Sequence, residues 1–121
     1  MVDVDRILAA MQRRGDKLIG RAFTDDEAAY CRRSQCPERR FAGRFAAKEA
    51  VMKALGRGWF QGMPFKEIEV VRDESPEGYG RPSIRLTGTT ADLAERLGAT
   101  SIHVSITHEH RAAIAFVIIE R

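Results

Sequence analysis

The sequence has few of the residues on which several classes of site depend. Only two of its 121 residues are cysteine, Cys31 and Cys36, and both lie in an arginine-rich polar stretch. We expect both to be free thiols, because a structural disulfide would be unusual in a reducing compartment. A zinc site is not expected either, since the three histidines, His103, His108 and His110, are far from the cysteines in sequence.

Long apolar runs are also absent. No stretch approaches the roughly 18 consecutive apolar residues that cross a bilayer, and Asp3 and Asp5 stand where a signal peptide needs its apolar segment. These features predict a cytoplasmic protein that does not associate with membranes. With 121 residues and 44% hydrophobic composition, the chain is expected to form one domain with a single core over residues 1–121.

Aromatic residues are scarce: the chain has six Phe, two Tyr and one Trp. No aromatic-studded basic strand, helix-turn-helix pattern or zinc finger is present, which argues against a nucleic-acid-binding domain. Neither a P-loop nor a dinucleotide-binding glycine motif occurs. Any phosphate chemistry must therefore use side chains and a metal.

Positive charge is present, and it is unevenly distributed. The net charge is +3, but residues 1–57 hold 13 Lys and Arg against 8 Asp and Glu, whereas residues 58–121 hold 7 against 9. The basic half indicates an acidic partner. Nucleic acid, phosphorylated small molecules and acidic proteins all qualify, and charge alone does not choose among them.

Local patterns predict two helices in the first third of the chain. An amphipathic helix over residues 6–20 is expected to break near Gly15 and Gly20. Thr24, followed three residues later by Glu27, is typical of a helix start, and a second helix is predicted from there to the region of Pro37.

The strongest helix is predicted over about residues 38–55, because this segment is rich in alanine, has no proline after its start and ends at Gly56 and Gly58. The other predicted elements are a hairpin of strands 68–71 and 84–86, a helix over 90–97, and strands over 102–107 and 112–119. This order predicts an α+β fold, with helices on one side of a small, mainly antiparallel sheet.

Charged side chains lie unusually close to the apolar stripe of the longest helix. On a helical wheel Glu49 borders the stripe, Lys53 follows one turn later, and Lys48 falls within it. One interpretation is that Glu49 and Lys53 form a solvated ion pair. Lys48 would then cover apolar surface with its aliphatic stem while its ammonium reaches water. Another is a hard cation bound to Glu49 and a phosphate, since a carboxylate beside the core is costly without a partner. The apolar stripe consists of Phe41, Phe45, Met52 and Leu55.

These residues carry a resemblance to a known family. The segment Arg44–Ala54, RFAAKEAVMKA, resembles the signature helix of the holo-acyl-carrier-protein synthases, the small trimeric class of phosphopantetheinyl transferases. Residues 102–108 resemble the family's C-terminal signature, and residues 23–27, 65–70 and 80–82 follow its order and spacing. The resemblance implies the phosphopantetheinyl transferase fold. It also implies a magnesium-dependent transfer of 4′-phosphopantetheine from coenzyme A to a serine of an acidic apo acyl carrier protein, in fatty acid or polyketide biosynthesis.

The same resemblance assigns roles to individual residues. Glu49 takes the position of a magnesium ligand, and Lys53 that of a lysine near the reacting phosphate. The residues that match positions near the coenzyme A phosphates, or that support the site, are Arg44, Lys48, Ser105 and His108.

Two kinds of partner follow from the resemblance. The family forms homotrimers with the site at the subunit interface, so a homotrimer is implied. An acidic carrier protein would dock on the basic first helix, although the same arginines could simply keep the chain soluble. The predicted docking residues are Arg6, Arg13, Arg14 and Arg21.

The start of the chain departs from the family pattern. The family's first strand contains an Asp that is the second protein ligand of the metal, and an alignment without gaps places that Asp just before Met1. Either the Asp is encoded upstream, or Asp3 replaces it through a small deletion, or the protein is a degenerate coenzyme A binder that lacks it. Asp3 is the predicted stand-in, and the codons upstream of Met1 would distinguish these alternatives.

Overall fold

The computed structural model describes residues 2–56, 64–72, 80–109 and 111–121, without the side chains of Val2, Arg14 and Asp16. Its helices are α1 (Val4–Arg14), α2 (Asp16–Ala22), α3 (Asp25–Arg32), α4 (Pro37–Ala54) and α5 (Gly88–Arg96). Its strands are β1 (Val2–Asp3), β2 (Ile68–Arg72), β3 (Pro82–Leu86), β4 (Ser101–Glu109) and β5 (Ala112–Glu120). A short 3-10 turn, Phe65–Glu67, precedes β2.

The strands form two antiparallel sheets. The larger has the order β1-β5-β4, and its β4–β5 hairpin pairs residues from Ser101 with Glu120 to Glu109 with Ala112. The smaller is the predicted hairpin, in which β2 pairs with β3. Because β3 lies beside β4, the two sheets adjoin, and the fold is α+β as predicted.

Helix α4 is the central element of the structure. It packs against β4 and β5 on one side and contacts α1, α3 and β2 on the others. Phe41, Val51 and Met52 have no exposed surface, so apolar burial determines which face of α4 turns inward. The packing of these apolar residues therefore determines where the charged residues between them lie.

The predicted helix start at Thr24 is confirmed. The Thr24 hydroxyl accepts from the Glu27 amide at 3.2 Å, and the Glu27 carboxylate accepts from the Thr24 amide at 3.0 Å, so α3 begins with a capping box. Pro37 is the first residue of α4 and not merely the end of the preceding segment. Proline suits that position, because its missing amide hydrogen would have no partner inside the helix.

The expected break at Gly20 is wrong, whereas the break at Gly15 is confirmed. Gly20 lies inside α2, where Ile19 and Ala22 are buried and hold the helix on the core. An interior glycine costs a helix only about 1 kcal/mol, which such packing readily offsets. Gly15, in contrast, has a φ of 53° and separates α1 from α2.

Both cysteines are free, as predicted. Among the described residues, no helix is long and apolar enough to cross a membrane.

Candidate active site

Glu49 borders a cavity of about 440 Å³ between α1, α2 and α4. Its carboxyl is half-buried, and burial raises its pKa against the opposing positive charges of Lys53 and Arg6. No described residue donates a hydrogen bond to it, and no ion pair joins it to Lys53 within 4.0 Å. The ion pair with Lys53 is thus not formed, and a partly desolvated carboxylate that accepts no hydrogen bond from the described residues fits an oxygen ligand for a hard cation. The apolar wall of the cavity includes Ile7, Met11, Phe23 and Phe45.

Asp3 lies at the same cavity as Glu49. It ends β1 and caps α1, because its carboxylate accepts from the amide of Asp5 at 2.9 Å. Its side chain is exposed. Within the described part of the chain, no three His, Cys, Asp or Glu residues cluster as a metal site. At this cavity the described residues offer two carboxylates, those of Asp3 and Glu49. The role of Asp3 as second metal ligand stays a prediction.

Lys48 is placed differently from what the sequence suggested. Its side chain is fully buried, and its ammonium donates to Glu27 Oε1 at 2.8 Å and to the carbonyl oxygens of Phe65 at 2.9 Å and Ile68 at 2.5 Å. Burial lowers the pKa of Lys48, and Glu27 opposes that change. All three ammonium hydrogens have partners inside the chain, which argues against the predicted contact with coenzyme A phosphates and against an ammonium in water. This placement fits the other predicted role of Lys48, support of the site, which stays a prediction.

Arg44 is a buried cation with which the described residues form no ion pair. It is only 3% exposed, its guanidinium lies 4.2 Å from the ring centroid of Tyr30, and its Nε has no hydrogen-bond partner among the described residues. The guanidinium of Arg72 also lies over the Tyr30 ring, 5.8 Å from its centroid. Its Nε is likewise buried without a hydrogen-bond partner among the described residues.

A cavity of about 220 Å³ is lined by these two arginines, Tyr30 and Arg33, and also by the carboxylates of Asp26, Glu27 and Glu69. Glu27 and Glu69 accept hydrogen bonds from Lys48 and Arg85, and the two arginine Nε groups find no acceptor among the described residues. An acceptor in this cavity would satisfy donors that are otherwise costly to bury.

His108 and Ser105 lie on opposite faces of β4. Their separation by three residues places His108 inward against α4, whereas Ser105 is exposed beside Phe116 of β5. His108 lines a cavity of about 580 Å³ that also contains Arg39 and Arg40. Within one chain His108 is grouped with Arg39 and Arg40, whereas Ser105 lines a different cavity with Arg72 and Arg81.

The predicted docking arginines lie on the first two helices. Arg6, Arg13 and Arg21 are exposed, and the first two border the cavity that contains Glu49. The side chain of Arg14 lies outside the described part of the structure. Arg6 and Arg13 thus share a mainly apolar cavity with Asp3 and Glu49, and their role in docking stays a prediction.

Three residues of these sites were not predicted as site residues. Glu27 was recognised only as a helix cap, although its second oxygen also accepts from the Val70 amide at 2.9 Å. Arg72 and Tyr30 gave no local signal, because their neighbours come from distant segments. The arginine-rich stretch around Cys31 and Cys36 was the one hint that cations would converge there.

Comparison with known proteins agrees with this geometry. Residues 1–117 match the model of the 4′-phosphopantetheinyl transferase superfamily. The holo-[acyl-carrier-protein] synthase of Solibacter usitatus is 42% identical over 120 residues, covering 99% of this chain and 93% of that protein. The enzyme of the same name from Serratia proteamaculans is 45% identical, with 99% and 92% covered.

Solved structures give the same result. The holo-[acyl-carrier-protein] synthase of Neisseria meningitidis superimposes with a TM-score of 0.86 at 28% identity, covering 99% of this chain and 93% of the other. The Helicobacter pylori enzyme, solved in complex with coenzyme A, gives 0.80 at 28% identity, with 98% and 95% covered. The chain thus has the phosphopantetheinyl transferase fold. It belongs to the 4′-phosphopantetheinyl transferase superfamily and, within it, to the holo-[acyl-carrier-protein] synthases.

Proposed function

We propose that this chain transfers 4′-phosphopantetheine from coenzyme A to a serine of an apo acyl carrier protein, releasing adenosine 3′,5′-bisphosphate. The observation that carries the proposal is Arg44, which is 3% exposed and whose Nε has no hydrogen-bond partner among the described residues. A polyphosphate substrate offers oxygens that accept from such a donor. The Helicobacter pylori relative was solved with coenzyme A, which supports this choice of ligand.

The coenzyme A phosphates would bind at the cations on the N-terminal half of α4. Arg44 and Arg72 converge on Tyr30, and Arg39, Arg40 and His108 border the neighbouring cavity. Guanidinium groups offer paired donors that match phosphate oxygens. Ser105, on the other face of β4, lines a separate cavity with Arg72 and Arg81. It would reach a ligand at His108 through the strand of a second subunit, which is the predicted interface arrangement.

In the transfer, the carrier serine oxygen forms a bond to the β-phosphorus of coenzyme A while the bond from that phosphorus to the bridging oxygen breaks. Negative charge then develops on the leaving adenosine bisphosphate. Lys53, exposed at the end of α4, would stabilise that charge. The serine proton would pass to water or to a carboxylate such as Glu49, whose pKa is raised by burial.

We propose Mg²⁺ as the metal, with Glu49 and Asp3 as its protein ligands. Both residues border one cavity, and carboxylate oxygens are the ligands that Mg²⁺ prefers. When bound, the ion would neutralise pyrophosphate charge. Glu49 is suited to hold it, because it has no hydrogen-bond donor of its own among the described residues and is partly removed from water.

The carrier protein would dock on α1 and α2. Arg6, Arg13 and Arg21 would meet acidic side chains of the carrier, and an apolar carrier side chain would enter the cavity next to Glu49. This arrangement brings the carrier serine to the mouth of the cavity that contains the proposed metal ligands.

A homotrimer is the proposed assembly. Phe116 and Ile118 are 68% and 64% exposed, and both project from the face of β5 that turns away from α4. Two large apolar residues on one sheet face are typical of a surface that another chain covers. We further propose a cytoplasmic location and a role in fatty acid biosynthesis, where carrier proteins need the phosphopantetheine arm.

Intact-mass spectrometry tests the proposed reaction. Incubating the chain with apo carrier protein, coenzyme A and Mg²⁺ should add one phosphopantetheine to the carrier, and a carrier whose acceptor serine is replaced by alanine should stay unmodified. If coenzyme A binds but the carrier mass does not change, the chain is a degenerate binder. Light scattering during gel filtration would test the trimer, and a monomeric mass at working concentration would contradict it.

A further inference from the structure

Gly43 lies where α4 crosses the inner face of β4. A Cβ atom at Gly43 would lie 2.8 Å from Nε2 of His108 and 3.0 Å from a methyl group of Ile106. Packed side chains do not tolerate contacts this close without moving. The imidazole of His108 therefore occupies space against the helix backbone that only glycine leaves open.

The contact between His108 and α4 determines which ring nitrogen carries the proton. Nε2 lies 3.0 Å from the carbonyl oxygen of Arg39. Because a carbonyl oxygen only accepts, Nε2 must donate, and the neutral ring has its lone pair on Nδ1. No hydrogen bond to Nδ1 is formed by the residues that the structure describes. Nδ1 is thus the atom available to a ligand.

The surroundings of this histidine are cationic. Burial lowers the pKa of His108, and the charges of Arg39, Arg40 and Arg72 lower it further, against the opposing effect of the Arg39 carbonyl. Arg33, from the segment after α3, lines the same cavity. Free His108 is therefore neutral at neutral pH, and the cavity attracts anions.

The other titratable groups near this cavity are Cys36 and Glu38. The thiol of Cys36 is neutral, because its hydrogen bond to Glu38, at 2.9 Å, raises its pKa. The same bond lowers the pKa of Glu38, which is ionised but engaged with the thiol. On β5 the cross-strand neighbour of His108 is Ala113, which does not titrate.

We propose that Gly43 is a positioning residue that presents Nδ1 of His108 to a coenzyme A phosphate, and that this nitrogen takes up a proton from solvent when the phosphate binds. The proposal rests on the proposed function, because it takes coenzyme A as the ligand. A phosphate dianion favours the imidazolium form and raises the pKa of His108 in the complex. Coenzyme A affinity should therefore fall as pH rises through that raised pKa.

The first experiment needs no ligand. Long-range proton–nitrogen NMR correlations distinguish histidine tautomers, and His108 should show protonated Nε2 and unprotonated Nδ1 in the neutral ring. Gly43→Ala should change these signals, whereas Gly20→Ala should not, because a Cβ at Gly20 meets nothing within 4 Å. Protonated Nδ1 in the wild type, or unchanged His108 signals in Gly43→Ala, would overturn the positioning role.

The second experiment measures proton uptake. Calorimetric titration of coenzyme A at neutral pH, in two buffers of different ionisation enthalpy, should show uptake of up to about one proton per ligand. His108→Gln and Gly43→Ala should remove the uptake and weaken binding about tenfold or more. His103→Gln is the control, since His103 is exposed on the other face of β4.

The outcomes distinguish a failure of the proton coupling from a failure of the proposed function. Binding of coenzyme A by the wild type without proton uptake overturns the proton coupling. Absence of any coenzyme A binding by the wild type refutes the proposed function and with it the coupling. In that case the tautomer comparison between the two glycine variants still decides whether Gly43 positions His108.

Discussion

Lys48 and Glu27 form an ion pair inside the protein, with 2.8 Å between Nζ and Oε1 and side chains 0% and 1% exposed. The pair joins α4 to the start of α3, and its hydrogen bonds to Phe65, Ile68 and Val70 extend it to β2. Three elements are thereby held around the helix that carries Glu49. Buried pairs of this kind need not add stability over apolar packing, but breaking one leaves an uncompensated charge.

Replacing Lys48 should therefore damage folding more than coenzyme A binding. Lys48→Met should lower the free energy of unfolding by about 3–5 kcal/mol, because Glu27 stays buried without its cation. Adding Glu27→Gln should recover part of the loss. Urea denaturation measures both variants, and Lys66→Met, at an exposed lysine, is the control. A stable Lys48→Met protein with a strongly raised KM for coenzyme A would instead support a direct ligand contact.

Replacing Glu49 tests the proposed metal site. Glu49→Gln removes a hard anionic ligand at nearly constant volume, so turnover should fall by about two orders of magnitude or more while the melting temperature stays close to that of the wild type. Excess Mg²⁺ or Mn²⁺ should restore part of the activity by mass action. Glu95→Gln, at an exposed position on α5, should behave like the wild type. Near-normal turnover of Glu49→Gln would eliminate the assignment.

Charge reversal on α1 and α2 tests carrier docking. Arg13→Glu combined with Arg21→Glu should raise the KM for the carrier about tenfold or more at low salt, with little change in the KM for coenzyme A. The difference should shrink as salt screens the exposed charges. Arg96→Glu on α5 is the matched control. Equal losses for both substrates would indicate a folding defect and not a docking surface.

Gly88 offers a test of packing at the start of α5. The carboxylate of Glu67 accepts from the Thr90 amide and from the hydroxyls of Thr89 and Thr90, each at 2.8 Å, and so caps the helix from a distant segment. A Cβ at Gly88 would collide with that carboxylate, and the φ of Gly88 is 59°.

Gly88→Ala should therefore lower the free energy of unfolding by more than 1 kcal/mol, on the order of 2–3, because strain at positive φ adds to the clash. Gly98→Ala isolates the backbone effect, since Gly98 has a φ of 78° and no neighbour within 4 Å of its Cβ position. Equal losses in chemical denaturation of the two variants would show that the Glu67 contact contributes nothing.

Local signals predicted most of the elements correctly. Each of these signals depends on neighbours within a few residues, so it can be recognised in the sequence. Examples are the capping box at Thr24, the alanine-rich α4 and the alternation in β4 and β5. Strand β1 is different. Its two residues form a strand only by pairing with Ala112 and Ala113, and that partner lies more than a hundred positions away.

The same distinction between local and distant contacts applies to the candidate site. The order of residues in α4 determined that Glu49, Lys48 and Arg44 would share one helix, and that one of them would border an apolar stripe. Only the tertiary structure decided that Lys48 turns inward to Glu27, that Arg44 meets Tyr30, and that His108 fits against Gly43. The physical reason is that helical periodicity gives each side chain a direction, whereas the cost of burying its charge depends on what distant segments place in its path.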